Sequence, residues 1–432
     1  MERITTFEYS EIPYKDIIGD ISKESVSEQL SKLESLIKDK YEHLIELKLD
    51  RVYFKNFVGI IKIGDVIIEV LPKIFNIHNN QLDNTNRGKI YKNLYYMINR
   101  SSKSSLKNID ISKYGSDEGI LFLDLFINMY LQQLYINLFK GIYRTYVTQS
   151  DNLHYIRGRI VIAENIKRNL LNTKIYCEYD EFTEDNLVNQ IFKFTTKKML
   201  ELSKWQQNRT IAQNIIHTLA DVSNIYITKD TFSLIREDRL LGEYSKLLRL
   251  AKMFLEGHSF DISDSHYKDN FIFNIDMNIV FQEYIYELIK EFSTDIFEQV
   301  SVFSQYGKSH LIYDKNDKGS FLLKPDIALV SNKRVIILID TKYKILRKEQ
   351  RRSGVSDQDV YQMFGYYHKY GKPKIYLLYP KYTDDISIAY KFENQEMEKL
   401  FINTIDLSKE LYLPEGELAV LNQLKEIFSS DS

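Results

Sequence analysis

A single cysteine, Cys177, in 432 residues excludes an intrachain disulfide and any cysteine-based zinc site. It fits a reducing cytoplasm, where this chain is expected to reside. Net charge is almost absent as well, at −2, so bulk electrostatics single out no nucleic-acid partner. The eight histidines include no His-Glu-x-x-His pair, which argues against a zinc hydrolase. Gly307-Lys308-Ser309 ends like a phosphate-binding loop, but the earlier glycine such a loop needs falls at Val302. No other Walker A pattern exists, so the chain is expected to hydrolyse no nucleotide itself. Met1 to Pro13 is polar and has no signal-peptide core. The most membrane-like stretch, Gly119 to Phe139, carries Asp124, Asn128 and Gln132 four residues apart, a polar stripe on an amphipathic helix. No membrane partner is expected.

What is present supports a multidomain globular protein. The length exceeds one typical domain, and the apolar content can fill buried cores. The 32 tyrosines and 24 phenylalanines form no one-face stripe, so they read as core and interface residues rather than a base-stacking platform. Ser22 to Asp39 reads as an amphipathic helix, and Arg51 to Val70 as two strands about a turn at Gly64-Asp65. Asn76 to Arg87 and Ser101 to Ser105 read as loops. From Glu118 to about Gly257 the pattern is mainly helical, including Leu187 to Leu202 and Glu237 to Leu255. His258 to Asp269 is a polar linker, and the tail after Pro414 is one amphipathic helix. The expected division is a mixed α+β N-terminal region over 1–118, a largely helical middle over 119–265, and an α/β domain over 266–432.

That last domain holds the most informative residues. Val335-Ile336-Ile337-Leu338-Ile339 is the run expected of a strand buried on both faces, and it ends in Asp340-Thr341-Lys342. Alternation sets Asp340 and Lys342 on one face and Thr341 on the other. A preceding strand, Phe321 to Val330, carries Pro325-Asp326, the only Pro-Asp among six prolines. If the two strands pair, Asp326 and Asp340 can meet with Lys342 beside them. Two carboxylates suit a hard cation such as Mg²⁺, and a neighbouring lysine can orient or deprotonate a water. As a bare pattern, the same residues also fit a solvated strand end with a surface ion pair. Ser356 to Tyr370 reads as a helix, with Ser356 as N-cap, Asp357 and Asp359 at its positive end and Gly371 as its stop. Gln362 and Tyr366 share a face of it. The basic run Lys342, Lys344, Arg347, Lys348, Arg351 and Arg352 could neutralise phosphates or form a solvated loop.

Asp-x-Lys on a strand followed by Gln-x-x-x-Tyr on a helix resembles the PD-(D/E)xK (restriction-endonuclease-like) nucleases of the RecB-like kind. The order helix, three strands, helix, strand from about Asn278 resembles that nuclease core. Over most of its length the chain resembles the McrC family, the nuclease subunit of McrBC-type modification-dependent restriction systems. The resemblance is carried by Asn56 to Ile61 and Ile67 to Ile74, by Gly141 to Arg144 and Ile156 to Ile160, and by Phe182 to Asn186 with Asn189. Pro325-Asp326, Asp340 to Lys344 and Tyr361-Gln362-Met363 complete it. The resemblance implies Asp326 and Asp340 as ligands of Mg²⁺, with the Thr341 backbone carbonyl, and Lys342 as the catalytic lysine. Gln362 and Tyr366 would support the site or contact DNA. It further implies double-stranded DNA carrying modified cytosine as substrate and an McrB-like AAA+ GTPase as partner, docked on the N-terminal region. The family's Phe-Glu pair is here Phe281-Gln282-Glu283, which leaves Glu283 more simply read as a solvated helix charge. Two other readings stay open: a non-cleaving regulatory or DNA-binding subunit, and a stand-alone RecB-like repair nuclease.

Overall fold

The computed structural model describes residues 2–18, 31, 33–34, 37–38, 41–63, 66–75, 84–101, 122–169, 173–203, 205–235, 241–242, 244–257, 270–296 and 299–429. Two compact units divide the chain. One combines Met1–Gly119 with Asp261–Ser432, and the other is Ile120–Phe260.

The N-terminal part of the first unit runs β1 (Glu2–Phe7), β2 (Ser10–Pro13), α1 (Tyr14–Ile18), β3 (Ile45–Leu47), β4 (Arg51–Phe54), β5 (Gly59–Ile63), β6 (Val66–Leu71) and α2 (Asn84–Ser101). The first strand expected within Arg51 to Val70 is therefore two strands, because β4 joins a small sheet with β2 and β3 while β5 pairs with β6. Gly59 marks the break. A Cβ there would stand 1.9 Å from the Phe273 carbonyl oxygen, so only glycine admits this approach. Gly64-Asp65, most of the Ser22 to Asp39 helix, Asn76 to Asp83 and Ser102 to Ser105 lie outside the described residues. Asn84 to Arg87, expected in a loop, opens α2 instead; Asn and Thr favour helix starts as well as turns. Every residue of β6 is buried, Glu69 included, and that carboxylate is neutralised by Arg3 Nη2 at 2.6 Å. Its apolar neighbours join Phe54, Phe57, Ile61 and Ile68 in one core, each side chain contributing about 1.5–3 kcal/mol by burial.

The second unit contains α3 (Phe122–Lys140), β7 (Thr145–Leu153), β8 (Arg159–Ile160), α4 (Ile162–Asn169), β9 (Ile175–Thr183), α5 (Leu187–Leu202), α6 (Gln206–Thr218) and α7 (Tyr244–Gly257). Helices dominate, but the helical reading of this region omitted the antiparallel sheet β7-β9-β8. Its strands are largely solvated on both faces and so lack the buried alternation that marks a strand in sequence. The polar stripe of α3 is also not a solvent face. Asp124 accepts from Ser203 Oγ at 2.5 Å, and Asn128 donates to Asn208 Oδ1 at 2.8 Å, both within the unit's core. No helix among the described residues is long and apolar enough to cross a membrane. The Phe182 to Asn189 segment is a structural knot. Asn186 caps α5, and Asn186 and Asn189 both donate to the Tyr143 carbonyl.

The first unit resumes with β10 (Asn270–Asn274), which pairs with β5 and completes the sheet β1-β6-β5-β10. The expected linker, His258 to Asp269, lies wholly outside the described residues. Then follow α8 (Met277–Ile296), β11 (Val300–Ser304), the hairpin β12 (Ser309–Tyr313) and β13 (Gly319–Leu323), β14 (Ile327–Ser331), β15 (Arg334–Thr341), α9 (Asp357–Lys369), β16 (Lys374–Pro380), β17 (Ser387–Tyr390), β18 (Leu400–Ile405) and α10 (Pro414–Ser429). Six strands form one sheet, ordered β11-β14-β15-β16-β18-β17. β14 and β15 are antiparallel, whereas β15, β16 and β18 run parallel. The expected strand Phe321 to Val330 is interrupted at Lys324-Pro325, since proline offers no N–H to a ladder. β13 folds back on β12, and Asp326 falls at the entrance to β14 instead of mid-strand.

Candidate active site

β15 lies in the middle of the six-stranded sheet, and its apolar residues are covered by neighbours on both sides. At its C-terminal end the strand carries Asp340, which is only 2 % exposed. Pairing continues past it through Lys342 N–H to the Leu378 carbonyl at 2.9 Å. A parallel strand end of this kind opens beyond the edge of the sheet, where ligands of α/β proteins commonly bind.

Asp326 is brought to the same place because β14 pairs Ile327 with Ile339. Thr341 holds it with two bonds to Oδ2, from its N–H at 2.8 Å and its hydroxyl at 2.9 Å. Gln305 Nε2 donates to the other oxygen at 3.2 Å. Thr341 thus serves the site from the strand's other face by orienting Asp326.

Lys342 Nζ stands 2.5 Å from Asp340 Oδ2 and donates to Gln362 Oε1 at 3.0 Å. Gln362 Nε2 in turn donates to the Tyr366 hydroxyl at 2.7 Å. Asp340, Lys342, Gln362 and Tyr366 therefore form one continuous chain of contacts between β15 and α9. The helix is started by Ser356, whose side chain accepts from the Asp359 N–H at 3.1 Å. Behind it, Asp359 is buried and paired with Lys344 Nζ at 2.8 and 3.0 Å, with the Tyr379 hydroxyl at 3.3 Å.

Electrostatics at the strand end are those of crowded buried anions. Burial first, and then the neighbouring Asp326, push the Asp340 carboxyl up to about 7, while Lys342 opposes the shift. Asp326 is also raised, chiefly by burial and against the bonds from Thr341. Burial works against the charge on Lys342, but Asp340, Asp359 and Asp326 outweigh it and hold the ammonium above its ordinary value. In this arrangement Lys342 is a charged donor, not a base. A divalent cation would relieve the repulsion between the two carboxylates, and the donor set fits one. Among the described residues no group of three or more His, Cys, Asp or Glu side chains is disposed for a metal. Two carboxylates, with the remaining positions left to water and phosphate, match the preference of Mg²⁺.

Of the basic run, Lys344 pairs with Asp359 and Arg352 with Asp357. Arg347, Lys348 and Arg351 stand exposed on the loop beyond the site. Glu283 lies half-buried on α8. Two residues that hold the site are not singled out by the sequence. Gln305 comes from the end of β11, and Glu8 from the turn after β1. Glu8 is fully buried, and its Oε1 accepts from the Tyr343 hydroxyl at 2.7 Å and from Lys73 N–H at 2.8 Å. Phe281 packs edge-on against the same Tyr343 ring. The only sequence signal for Glu8 is an acidic residue at the end of an otherwise strand-like run.

Fold and site together describe a mixed α/β protein with a carboxylate–lysine centre at the end of its central strand. The chain matches the McrBC family, described as the McrBC 5-methylcytosine restriction system component, over residues 52–380, and it belongs to that family. It is similar in structure to a chain of the refined half-complex from a tetradecameric assembly of Thermococcus gammatolerans McrB AAA+ hexamers with bound McrC. There the TM-score is 0.59 at 19% identity, covering 98% of this chain and 100% of that one. A chain of the Thermococcus gammatolerans McrBC complex is also similar, with a TM-score of 0.47 at 20% identity, over 66% of this chain and 87% of that one. No curated protein matches the sequence.

Proposed function

We propose that this chain is the Mg²⁺-dependent endodeoxyribonuclease subunit of a restriction system, with a PD-(D/E)xK domain over about 266–432. The observation that carries the reading is the convergence of Asp326, Asp340, Lys342, Gln362 and Tyr366 at one strand end in a chain of the McrBC family. Asp326 and Asp340 would hold Mg²⁺, with the Thr341 backbone carbonyl as a third oxygen. When bound, the metal supplies Lewis-acid stabilisation of a phosphoryl oxygen and lowers the pKa of its water. Lys342 keeps its proton at Nζ and presents positive charge to the phosphate. Gln362 fixes that ammonium through its Oε1, and Tyr366 fixes Gln362. Thr341 and Gln305 orient Asp326. Exposed Arg347, Lys348 and Arg351 suit the flanking phosphates of double-stranded DNA.

The Thermococcus gammatolerans assembly, with McrB AAA+ hexamers and bound McrC, supports an McrB-like AAA+ GTPase as this chain's partner. On this reading the N-terminal region over 1–118 docks on the partner's ring and stimulates its hydrolysis. The family's description favours DNA carrying modified cytosine as substrate, and cytoplasmic residence is part of the same proposal. The test is plasmid cleavage with Mg²⁺, with and without the AAA+ protein and its nucleotide, on cytosine-methylated and unmethylated DNA. Cutting that requires the partner and nucleotide supports the reading. Cutting by the chain alone replaces it with a stand-alone repair nuclease, and DNA binding without cutting in any mixture replaces it with a regulatory subunit.

A further inference from the structure

The hairpin β12–β13 is inserted between two strands of the main sheet and takes no part in it. One foot bonds the backbone at Asp326, and both are tied to Tyr370. Gln305 N–H donates to the Asp326 carbonyl at 2.7 Å, and Tyr306 N–H to the Pro325 carbonyl at 2.9 Å. From α9, the Tyr370 hydroxyl lies within 2.6 Å of the Leu323 carbonyl and accepts from Lys308 N–H at 3.2 Å. The ribbon is therefore rigidly seated at its base and rises from the rim beside Asp326.

Above the base it is solvated and yet apolar. Leu311, Ile312, Tyr313, Phe321 and Leu322 are all large, and all are exposed. The register sets Ile312 and Leu322 on one face of the ribbon, while Leu311 and Tyr313 lie on the other, toward Gly365 and Lys369 of α9; large apolar side chains left this exposed mark an interaction site. Phe321 is the extreme case, at 70 % exposed and φ +58°. A bulky aromatic residue seldom takes that conformation, and regular pairing is interrupted at Leu311 and Phe321. The strain gives the fold itself nothing, because the ring packs into no core. Four lysines, Lys308, Lys315, Lys318 and Lys324, are exposed along the same element. Against them stand Asp314 and Asp317, and Asp314 is occupied in the turn, accepting from Asn316 and Lys318 N–H.

A two-stranded ribbon has the width of a DNA groove, and apolar side chains on such elements are known to wedge against base steps while lysines meet phosphates. We propose that the ribbon Ser309–Leu323 is a DNA-contacting element that lies in a groove of the duplex next to the phosphodiester at Asp326 and Asp340. Phe321 and Leu322 supply the apolar contact, and Lys315 and Lys318 the phosphate contacts. The inference rests on the nuclease reading. It commits to DNA over a protein partner because the ribbon is rooted beside Asp326 and because Lys308 and Lys324 at its feet add positive charge to a ribbon in which Lys315 and Lys318 balance Asp314 and Asp317.

The test measures binding of the full-length chain to a short fluorescent duplex by anisotropy over a salt series, without divalent cation, alongside plasmid cleavage with Mg²⁺ and the AAA+ partner. All four side chains are exposed, so the variants are expected to fold, which circular dichroism checks. Phe321→Ser with Leu322→Ser should weaken binding about tenfold or more. Lys315→Ala with Lys318→Ala should lower the slope of log affinity against log salt by about two. Weakened binding by the variants, with a wild type that never cuts, would support the ribbon and overturn the nuclease reading. Unchanged affinity and salt slope with a wild type that cuts would overturn the ribbon and leave the nuclease intact. Unchanged DNA binding with a loss of self-association or of partner binding would overturn it too, and assign the ribbon to a protein interface.

Discussion

Replacing Glu8 by glutamine should remove a pH dependence of stability that this one buried carboxyl imposes. Glu8 is wholly enclosed, and although the Tyr343 hydroxyl and Lys73 N–H favour its charged form, burial dominates and raises it from 4.5 to about 7. The sign follows from the raised value. Below about pH 4.5 the group is protonated in both folded and unfolded chains and contributes no pH dependence. Between 4.5 and 7 the unfolded chain gives up the proton first, so folded stability falls as pH rises, and it levels off above 7. At about 1.4 kcal/mol per pKa unit, the shift corresponds to roughly 3 kcal/mol. Glutamine keeps an oxygen for both donors but places N–H groups where the second carboxylate oxygen has no hydrogen-bond partner among the described residues. That adds a cost of about 1–3 kcal/mol, the same at every pH. Denaturant unfolding of wild type and Glu8→Gln from pH 4.5 to 8 reads the difference. The gap should move in favour of the variant by roughly 3 kcal/mol across that window. Parallel curves would show that Glu8 is not the buried, proton-holding contact that ties the N-terminal turn to the residue following Lys342.

Arg3→Ala should destabilise the first unit by about 3–5 kcal/mol, because it strips Glu69 of its 2.6 Å partner inside β6; Arg3→Ala with Glu69→Leu should recover most of that loss in the same melting assay. Thr341→Val keeps the shape but deletes the 2.9 Å bond to Asp326. It should cost about 1 kcal/mol in stability and lower cleavage by more than tenfold, with DNA affinity unchanged.

Much of the site could be read before the fold was known, because its signals are local. The β-branched run into Asp340-Thr341-Lys342 lies in one strand, and Gln362 and Tyr366 lie one turn apart on a helix whose cap, acidic first turn and stopping glycine are all short-range features. Gly371, at φ +83°, ends that helix as glycine does. What was not legible depends on distant chain. Glu8 reaches Tyr343 across most of the sequence, and Gln305 meets Asp326 only because a hairpin is looped out between β11 and β14. The break at Pro325 was misread as mid-strand because the residues on both sides suit strands equally. The β7-β9-β8 sheet escaped notice because neither face is buried, so no apolar alternation was written into it. The stripe on α3 was visible, but not that Asn208 and Ser203 would cover it.

On the proposed reading, Asp340 and Asp326 form a metal-dependent cutting site. The most direct measurement is plasmid cleavage with Mg²⁺, in the presence of the AAA+ partner and its nucleotide, comparing wild type with Asp340→Asn. Nicked and linear products from wild type alone, abolished by chelation and absent in the variant although it still binds duplex DNA, are the result expected. Cleavage by Asp340→Asn at the wild-type rate would contradict the account.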